Sequence, residues 1–328
     1  MEFKWRKSKS KEDTLLMAEK LSETYDISPY TVAELSEVIS AGIRAGAIRK
    51  EKRGQSYVVD LEKWFTERLM PNTITLSQDD YKKALYRSFR LLVIADIAKT
   101  DFGSSRQRDF GQRWTDFTRG FLGEIGIEKF FKKNLGLEID LDESEVGDVK
   151  QFLPTDITKV KDNGNWRNVN TNISIKTSKL KSMWLDIGSQ IEHSDAFIFI
   201  KIALTTDHLV SFIKSNGFLE KLVKMGQELG EVADYEKEIK LLCDNIPDVK
   251  PFPAYIAGFV WKNDLKNGTL RIHETAKNKV VVGGIGFYDE NTAKSVEGLG
   301  DISSGKHLAC LDALRWKKSD WQELKNKI

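Results

Sequence analysis

Apolar residues near the start of the chain follow the spacing of two helices. They recur at helical intervals in residues 12–24, and a second apolar face follows Ser28-Pro29, where serine can cap a helix and proline suits its first turn. Residues 49–60 then contain two short β-prone runs around a basic turn at Gly54. This pattern predicts two helices followed by a β-hairpin.

The rest of the chain changes from helical to mixed patterning. Apolar residues recur at helical spacing in 78–99 and 114–132. Five β-prone runs follow, at 156–160, 169–176, 196–204, 254–262 and 280–288. Helical patterns lie between some of them, near 179–192 and 206–229. Strands and helices mixed in this order predict an α/β (α+β) domain of the sandwich type over residues 73–328.

Composition excludes several classes of protein. The 328 residues include 51 Lys and Arg, 49 Asp and Glu, and two cysteines, Cys243 and Cys310, which are far apart in the sequence. The cysteines predict neither a disulfide framework nor a zinc site, and they favour a reducing compartment. The sequence contains no apolar stretch typical of a signal peptide or a membrane span, so we expect a soluble, cytoplasmic protein with no membrane partner. The balanced charge neither requires nor excludes nucleic acid.

Residues 1–72 resemble a winged helix, because two helices precede a basic hairpin. The resemblance implies that the second helix or the wing contacts DNA. The candidate phosphate contacts are Arg44, Arg49, Lys50, Lys52 and Arg53. The alternative is a spacer or protein-binding module, since the acidic residues of this segment nearly cancel its basic ones.

A second hairpin is predicted around the Asn-Gly pair at 163–164, which is a strong turn signal between β-prone flanks. Its second strand alternates, which places Ser174 and Lys176 on the face opposite two isoleucines. Asp156 opens the first strand, so folding could bring its carboxylate beside the Lys176 ammonium. Alternatively, Ser174 and Lys176 form the solvated face of an ordinary strand, and Asp156 caps a turn.

A carboxylate beside a lysine suits phosphodiester hydrolysis. Carboxylates hold Mg²⁺, which prefers oxygen ligands and keeps several waters. The metal polarises the phosphate and helps to make hydroxide from bound water, while a nearby lysine orients that water and offsets charge in the transition state. Because one carboxylate is seldom enough, we expect another acid at the site.

These residues resemble the PD-(D/E)xK nuclease superfamily over roughly residues 115–200. Pro154 and Asp156 stand where the family has Pro-Asp, with one residue inserted, and Ser174 and Lys176 stand at the two ends of (D/E)xK. Serine at the middle acidic position is a departure. It is similar to the branch of type II restriction endonucleases in which that acid is relocated to the next helix. The resemblance implies a mixed sheet flanked by helices.

The resemblance also implies the remaining acids. Glu192 is the best match for the relocated acid, with Asp186 as the alternative, and Glu124 matches the acid that the family's first helix often presents. The implied catalytic set is Asp156, Lys176, Glu192, Glu124 and Ser174, with Mg²⁺ held by Asp156, Glu192 and Glu124.

Further basic and polar residues are candidates for contacting DNA. Arginine and glutamine can read base edges in the major groove. The candidates are Arg106, Gln107, Arg108 and Arg113 before the helix at 114–132, with Lys179 and Lys181 beside the proposed site. Generic phosphate contacts or surface salt bridges are the alternatives for each.

Together these features predict a Mg²⁺-dependent type II restriction endonuclease of the prokaryotic cytosol that cuts double-stranded DNA. Cutting both strands of a symmetric sequence predicts a homodimer. The resemblance also implies a companion DNA methyltransferase. The rival functions are a non-catalytic winged-helix regulator that binds DNA and a structure-specific repair or recombination nuclease.

Overall fold

The computed structural model describes residues 3–94, 109–142, 155–162, 164–188, 190–274, 278–302 and 305–328. They form a mixed α/β structure in which mixed sheets are flanked by helices, as predicted. The candidate DNA contacts Arg106, Gln107 and Arg108 lie outside the described residues, and so does Pro154. None of the helices in the described part of the chain combines the length and apolar composition that a membrane crossing requires.

The elements have the following bounds. The helices are α1 Ser10–Thr24, α2 Val32–Ala45, α3 Leu61–Trp64, α4 Gln78–Ile94, α5 Phe110–Phe130, α6 His208–Ser215, α7 Phe218–Glu228, α8 Tyr235–Asn245, α9 Lys262–Asn267 and α10 Lys318–Lys327. The strands are β1 Phe3–Trp5, β2 Lys50–Arg53, β3 Ser56–Val59, β4 Thr73–Leu76, β5 Glu138–Leu141, β6 Ile157–Asp162, β7 Asn165–Asn168, β8 Ile173–Lys179, β9 Trp184–Gly188, β10 Ala196–Ile202, β11 Phe252–Trp261, β12 Leu270–Glu274, β13 Lys279–Tyr288, β14 Ser295–Val296 and β15 Lys306–Cys310.

The N-terminal helices and hairpin form as predicted, but α2 begins later than expected. Thr31 caps it instead of Ser28: the Thr31 hydroxyl accepts from Glu34 N at 3.2 Å, and the Glu34 carboxylate accepts from Thr31 N at 2.8 Å. β2 and β3 turn at Gly54, whose φ of +61° suits glycine. β1 pairs with β3 and completes a three-stranded sheet.

The central sheet has the strand order β4-β11-β10-β8. β8 runs parallel to β10, whereas β11 is antiparallel to both β10 and β4. β8 therefore lies at one edge of this sheet. A second sheet has the order β12-β13-β15-β9 with β14 beside β13, and β5, β6 and β7 form a third.

Two hydrophobic cores cover the two faces of the central sheet. Along β10, Ile198 and Ile200 pack in the core that contains α5, whereas Phe197 and Phe199 pack in the core that contains α1 and α2. The strand is therefore buried on both faces. Since α1 and α2 share their core with β9 and β15, hydrophobic packing continues across the proposed boundary at residue 72.

The predicted hairpin at 163–164 forms, but it is shorter than expected. β6 pairs with β7, from Lys159 opposite Asn168 to Asp162 opposite Asn165. The prediction that 169–176 forms its second arm is wrong, because the chain leaves the hairpin after Asn168 and β8 joins the central sheet.

The predicted helix near 179–192 is also wrong, since β9 occupies this segment. Trp184 and Leu185 pair with Cys310 and Ala309 of β15 and are buried there. Pairing with a distant strand thus overrides the local spacing of apolar residues.

A helical segment, α6 to α8, connects the antiparallel neighbours β10 and β11. The predicted helix at 206–229 is divided into α6 and α7 at Gly217, whose φ is +66°. α8 was not predicted, and it contains no buried residue.

Candidate active site

Asp156 lies against the free edge of β8. Its N–H donates to Ile173 O at 2.8 Å, and its Oδ2 accepts from Ile175 N at 2.5 Å. The carboxylate therefore accepts a hydrogen bond from a backbone N–H that would otherwise be available to a neighbouring strand. This hydrogen bond fixes one carboxylate oxygen relative to the strand that carries Lys176.

Thr155, the residue inserted into the Pro-Asp motif, helps to hold this arrangement. Its Oγ1 accepts from Ile173 N at 3.0 Å and donates to Ile157 O at 2.8 Å. The threonine is buried. The departure from the family pattern thus has a local structural role at the start of β6.

Ser174 and Lys176 project from the same face of β8, as the alternation predicted. Ser174 Oγ donates to Asp156 Oδ2 at 3.3 Å. Lys176 lies opposite Phe199 of β10, so its face of the sheet is the one covered by the N-terminal helices. The structure thus brings together three residues that the sequence motif suggested.

The surroundings shift the pKa values of the acid and the amine toward each other. Burial raises the pKa of the Asp156 carboxyl, while the Ile175 N–H and the Lys176 charge oppose that shift. Burial lowers the pKa of the Lys176 amine, while the charges of Asp156 and Asp186 oppose it. A lysine whose pKa is lowered in this way can exchange a proton closer to neutral pH.

The charges of two further carboxylates, Asp142 and Asp186, influence the pKa values of Asp156 and Lys176. Asp142 N donates to Asp156 O at 3.0 Å, and the negative charge of Asp142 contributes to the raised pKa of Asp156. Asp186 lies on β9, and Lys306 Nζ donates to its Oδ2 at 2.8 Å. Asp142 was missed by sequence reasoning; it follows β5, and the pairing of β5 with β6 brings it to Asp156.

Glu192 is engaged elsewhere. Its carboxylate forms ion pairs with Lys262 at 2.9 Å and Lys266 at 2.6 Å, and these hydrogen bonds lower the pKa of Glu192 to about 2. Its side chain is 65% exposed. Of the two alternatives for the relocated acid, Asp186 is the one whose charge acts on Lys176.

Glu124 lies on α5, which packs closely against β8. A Cβ atom at Gly123 would be 2.0 Å from Thr177 Cγ2, so only glycine allows this approach. Glu124 is the next residue of the helix, and its Oε2 is buried. The glycine therefore allows α5 to pack closely against β8, but on the face that carries Thr177 and Ile200, opposite to the face from which Lys176 projects.

A magnesium ion bound here would have to be completed by substrate. Within the described residues, no three His, Cys, Asp or Glu side chains gather closely enough to form a metal site by themselves. Mg²⁺ usually keeps several waters and needs only one or two carboxylates together with substrate phosphate oxygens. Asp156 provides a carboxylate of this kind. Asp142 and Asp186 provide two more, whose charges act on Asp156 and on Lys176 respectively.

The candidate wing residues differ in their availability to DNA. Lys50 Nζ donates to Ile43 O at 3.1 Å and lies over the rings of Trp5 and Tyr57, so its amine faces its own domain. Arg53 forms an exposed ion pair with a neighbouring glutamate at 3.6 Å. Arg49, Lys52, Lys179 and Lys181 are exposed as well.

Arg113 lies in the first turn of α5 and is half-buried. The spacing of apolar residues predicted a loop at this position. The helix starts earlier because Asp109 caps it, with Oδ1 accepting from Gln112 N at 2.7 Å. The side chain of Arg113 thus belongs to a helix start.

Lys201 is a further titratable group that sequence reasoning missed. It is fully buried, and its Nζ has no hydrogen-bond partner among the described residues. Burial, together with the nearby charge of Arg68, lowers the pKa of Lys201 to about 7. The signal in the sequence is a lysine within an otherwise apolar β-prone run, Ala196–Ile202.

A comparison of the chain with models of protein families finds no match, and searches of curated proteins and of solved structures find none either. The interpretation of the site therefore depends on its own geometry.

Proposed function

We propose that this protein is a Mg²⁺-dependent endodeoxyribonuclease of the type II restriction enzyme kind. The observation that carries the proposal is the position of Asp156, whose carboxylate is held by Ile175 N at 2.5 Å beside Lys176. The acid and the amine are both desolvated and lie at the same edge of β8. This arrangement is better explained by a role in phosphodiester hydrolysis than by a role in packing. Strong pKa shifts caused by burial and a specific charge partner are typical of functional sites.

Asp156 is proposed as the principal metal ligand. When bound, Mg²⁺ would polarise the scissile phosphate and make a bound water more acidic. The backbone N–H of Ile175 and the hydroxyl of Ser174 orient the carboxylate, so it needs little rearrangement to bind a cation.

Lys176 is proposed to position the attacking water. Its Nζ can donate to that water or accept its proton, because burial lowers the pKa of the amine. In its protonated form, the same group offsets the negative charge that develops on the phosphate.

Asp186 is our preferred second acid. Its charge acts on Lys176, whereas Glu192 is neutralised by two lysines of α9. Asp142 and Glu124 remain candidates for completing the site. Asp142 adjoins Asp156, whereas Glu124 would have to reach the site around the free edge of β8 from the other face of the sheet.

The restriction-endonuclease-like fold, a winged-helix-like DNA-binding role for the N-terminal elements, a homodimer and a companion methyltransferase form part of the same proposal. Two helices followed by a basic hairpin support the DNA-binding role. Two copies of the site would allow both strands of a symmetric sequence to be cut.

Incubation of the purified protein with plasmid and phage DNA tests the proposal. We expect discrete, reproducible fragments with Mg²⁺ and none with EDTA. Binding without any cutting would favour a DNA-binding regulator. Nicking confined to branched substrates would favour a repair or recombination nuclease.

A further inference from the structure

A cleft of about 760 Å³ lies between the N-terminal elements and the turn that follows β8. Its walls include Lys7, Lys11 and Arg44 on the N-terminal side and Lys181 on the side of the proposed active site. This volume falls within the roughly 300–1,000 Å³ typical of ligand sites. We call it the N-terminal cleft.

The charge on the walls of the N-terminal cleft is mainly positive. It is lined by five cationic side chains and by two carboxylates, Glu37 and Glu297. Arg44 Nε lies 3.5 Å from Glu297 Oε1, and the amine of Lys50 is held by a backbone carbonyl. The cleft therefore keeps a surplus of positive charge after its internal pairs are formed.

Three of the lining lysines account for that surplus. Lys7, Lys11 and Lys181 are exposed and form no ion pair with any described residue. They converge from two separate parts of the chain. Lysines brought together without carboxylate partners repel one another, so a bound anion would stabilise this arrangement.

Hydroxyl groups add hydrogen-bond donors to the same walls. Ser10 Oγ accepts from Trp5 Nε1 at 3.1 Å, which leaves the serine hydrogen available to a ligand. Ammonium and hydroxyl donors that face one cavity suit the oxygens of a phosphate.

The cleft adjoins the strand that carries Lys176. Lys179 is three residues further along β8 than Lys176, which corresponds to about 10 Å at the ~3.3 Å rise of a strand, and Lys181 follows in the next turn. The N-terminal helices also cover the face of the sheet from which Lys176 projects.

We propose that the N-terminal cleft binds phosphate esters, and that in the working enzyme these belong to the DNA strand near the bond that is cut. The position next to the cut depends on the nuclease function proposed above, whereas phosphate binding does not. Free nucleotides present the same chemistry and are the other possible source. The side of the N-terminal unit that meets DNA then includes the start of α1, the exposed face of α2, and Lys50 and Tyr57 of the wing strands.

Fluorescence anisotropy with a short labelled duplex, in EDTA to prevent cutting, tests this inference. We expect Lys11→Ala combined with Lys181→Ala to weaken binding about tenfold or more and to reduce the slope of log K against log salt by about 2. Lys240→Ala, on the exposed face of α8, is the matched control and should change neither value. Circular dichroism should show the same fold for all variants, since none of these lysines is buried.

Calorimetric titration with deoxynucleoside monophosphates distinguishes the two sources. If DNA affinity is unchanged in the double variant but monophosphates bind the wild type and not the variant, the cleft is a site for free nucleotides. If the double variant binds both DNA and monophosphates as the wild type does, the inference is overturned. Because binding is measured without Mg²⁺, a protein that binds phosphate but never cuts DNA would contradict the nuclease proposal alone.

Discussion

Lys176 and Lys201 occupy neighbouring strands of one sheet and point to the same face, yet their surroundings differ. Lys176 lies on the edge strand β8, where Asp156 approaches from the side on which that strand has no neighbour. Lys201 lies on β10, which has strands on both sides, and its amine has no hydrogen-bond partner among the described residues. The comparison shows that an edge strand leaves room for an acid to approach a buried amine. On an interior strand, the neighbouring strands occupy both sides, and the amine is desolvated without an acid beside it.

The largest expected effect comes from placing the same substitution at both lysines. Lys176→Met should reduce Mg²⁺-dependent DNA cleavage by about 10²–10⁴-fold, since it removes the group proposed to position the attacking water. Lys201→Met should leave cleavage near the wild-type rate. Initial rates on one plasmid substrate measure both. Equal losses in the two variants would remove the functional distinction between the edge and the interior lysine.

A smaller effect on cleavage should separate the two candidate acids. Asp186→Asn should reduce cleavage by about tenfold to hundredfold, because its charge acts on Lys176. Glu192→Gln should have little effect, because that carboxylate is paired with Lys262 and Lys266. Rates measured over a range of Mg²⁺ concentrations would show whether the loss lies in metal affinity. The reverse ranking would return the relocated acid to Glu192.

The packing behind the edge strand provides a test of stability. Gly123→Ala would place a methyl group 2.0 Å from Thr177 Cγ2, so we expect α5 and β8 to separate slightly and the free energy of unfolding to fall by about 1–3 kcal/mol. Gly120→Ala on the same helix meets nothing within 4 Å and should raise it by about 0.5–1 kcal/mol. Urea denaturation measures both. A neutral Gly123→Ala would mean that the helix does not hold β8 in place.

The pH dependence of stability provides a further test, through Lys201. Its pKa is about 7 in the folded protein and 10.5 in the unfolded chain, so between these values the unfolded state carries a proton that the native state lacks. Unfolding then takes up a proton, and this group makes stability rise with pH by roughly 1 kcal/mol per pH unit. Lys201→Met should be more stable than the wild type at pH 7, and the difference should shrink towards pH 10. A constant difference would show that the amine titrates normally.

Local signals were sufficient to predict most of the helices and the turns. The apolar spacing before Ala45 and the glycines at 54 and 164 predicted α2 and both hairpins, because these features depend on residues close in sequence. β9 was missed because its partner, β15, is more than a hundred residues away. The length of the second hairpin was misjudged because β8 pairs with β10 and not with β6.

The candidate site shows the same division. Asp156, Ser174 and Lys176 were recognisable because they form a motif within a short segment. Asp142 carries no such signal, and only the pairing of β5 with β6 brings it to Asp156. Lys201 interrupts an apolar β-prone run, but its full burial depends on the strands that lie on both sides of β10.

The hydrogen bond between the Asp156 carboxylate and Ile175 N has a consequence for how the spacing of Asp156 and Lys176 can change during evolution. The Asp156 carboxylate is hydrogen-bonded to the backbone of β8, the strand that carries Lys176. The segment between the two residues, which contains β6 and β7, therefore only has to begin and end beside β8. Insertions or deletions there can alter the count of residues between the two groups without moving either one. Among descendants of this protein we therefore expect the hydrogen bond between the acid and the strand to persist. A search that requires a fixed number of residues between the acid and the lysine would overlook such descendants.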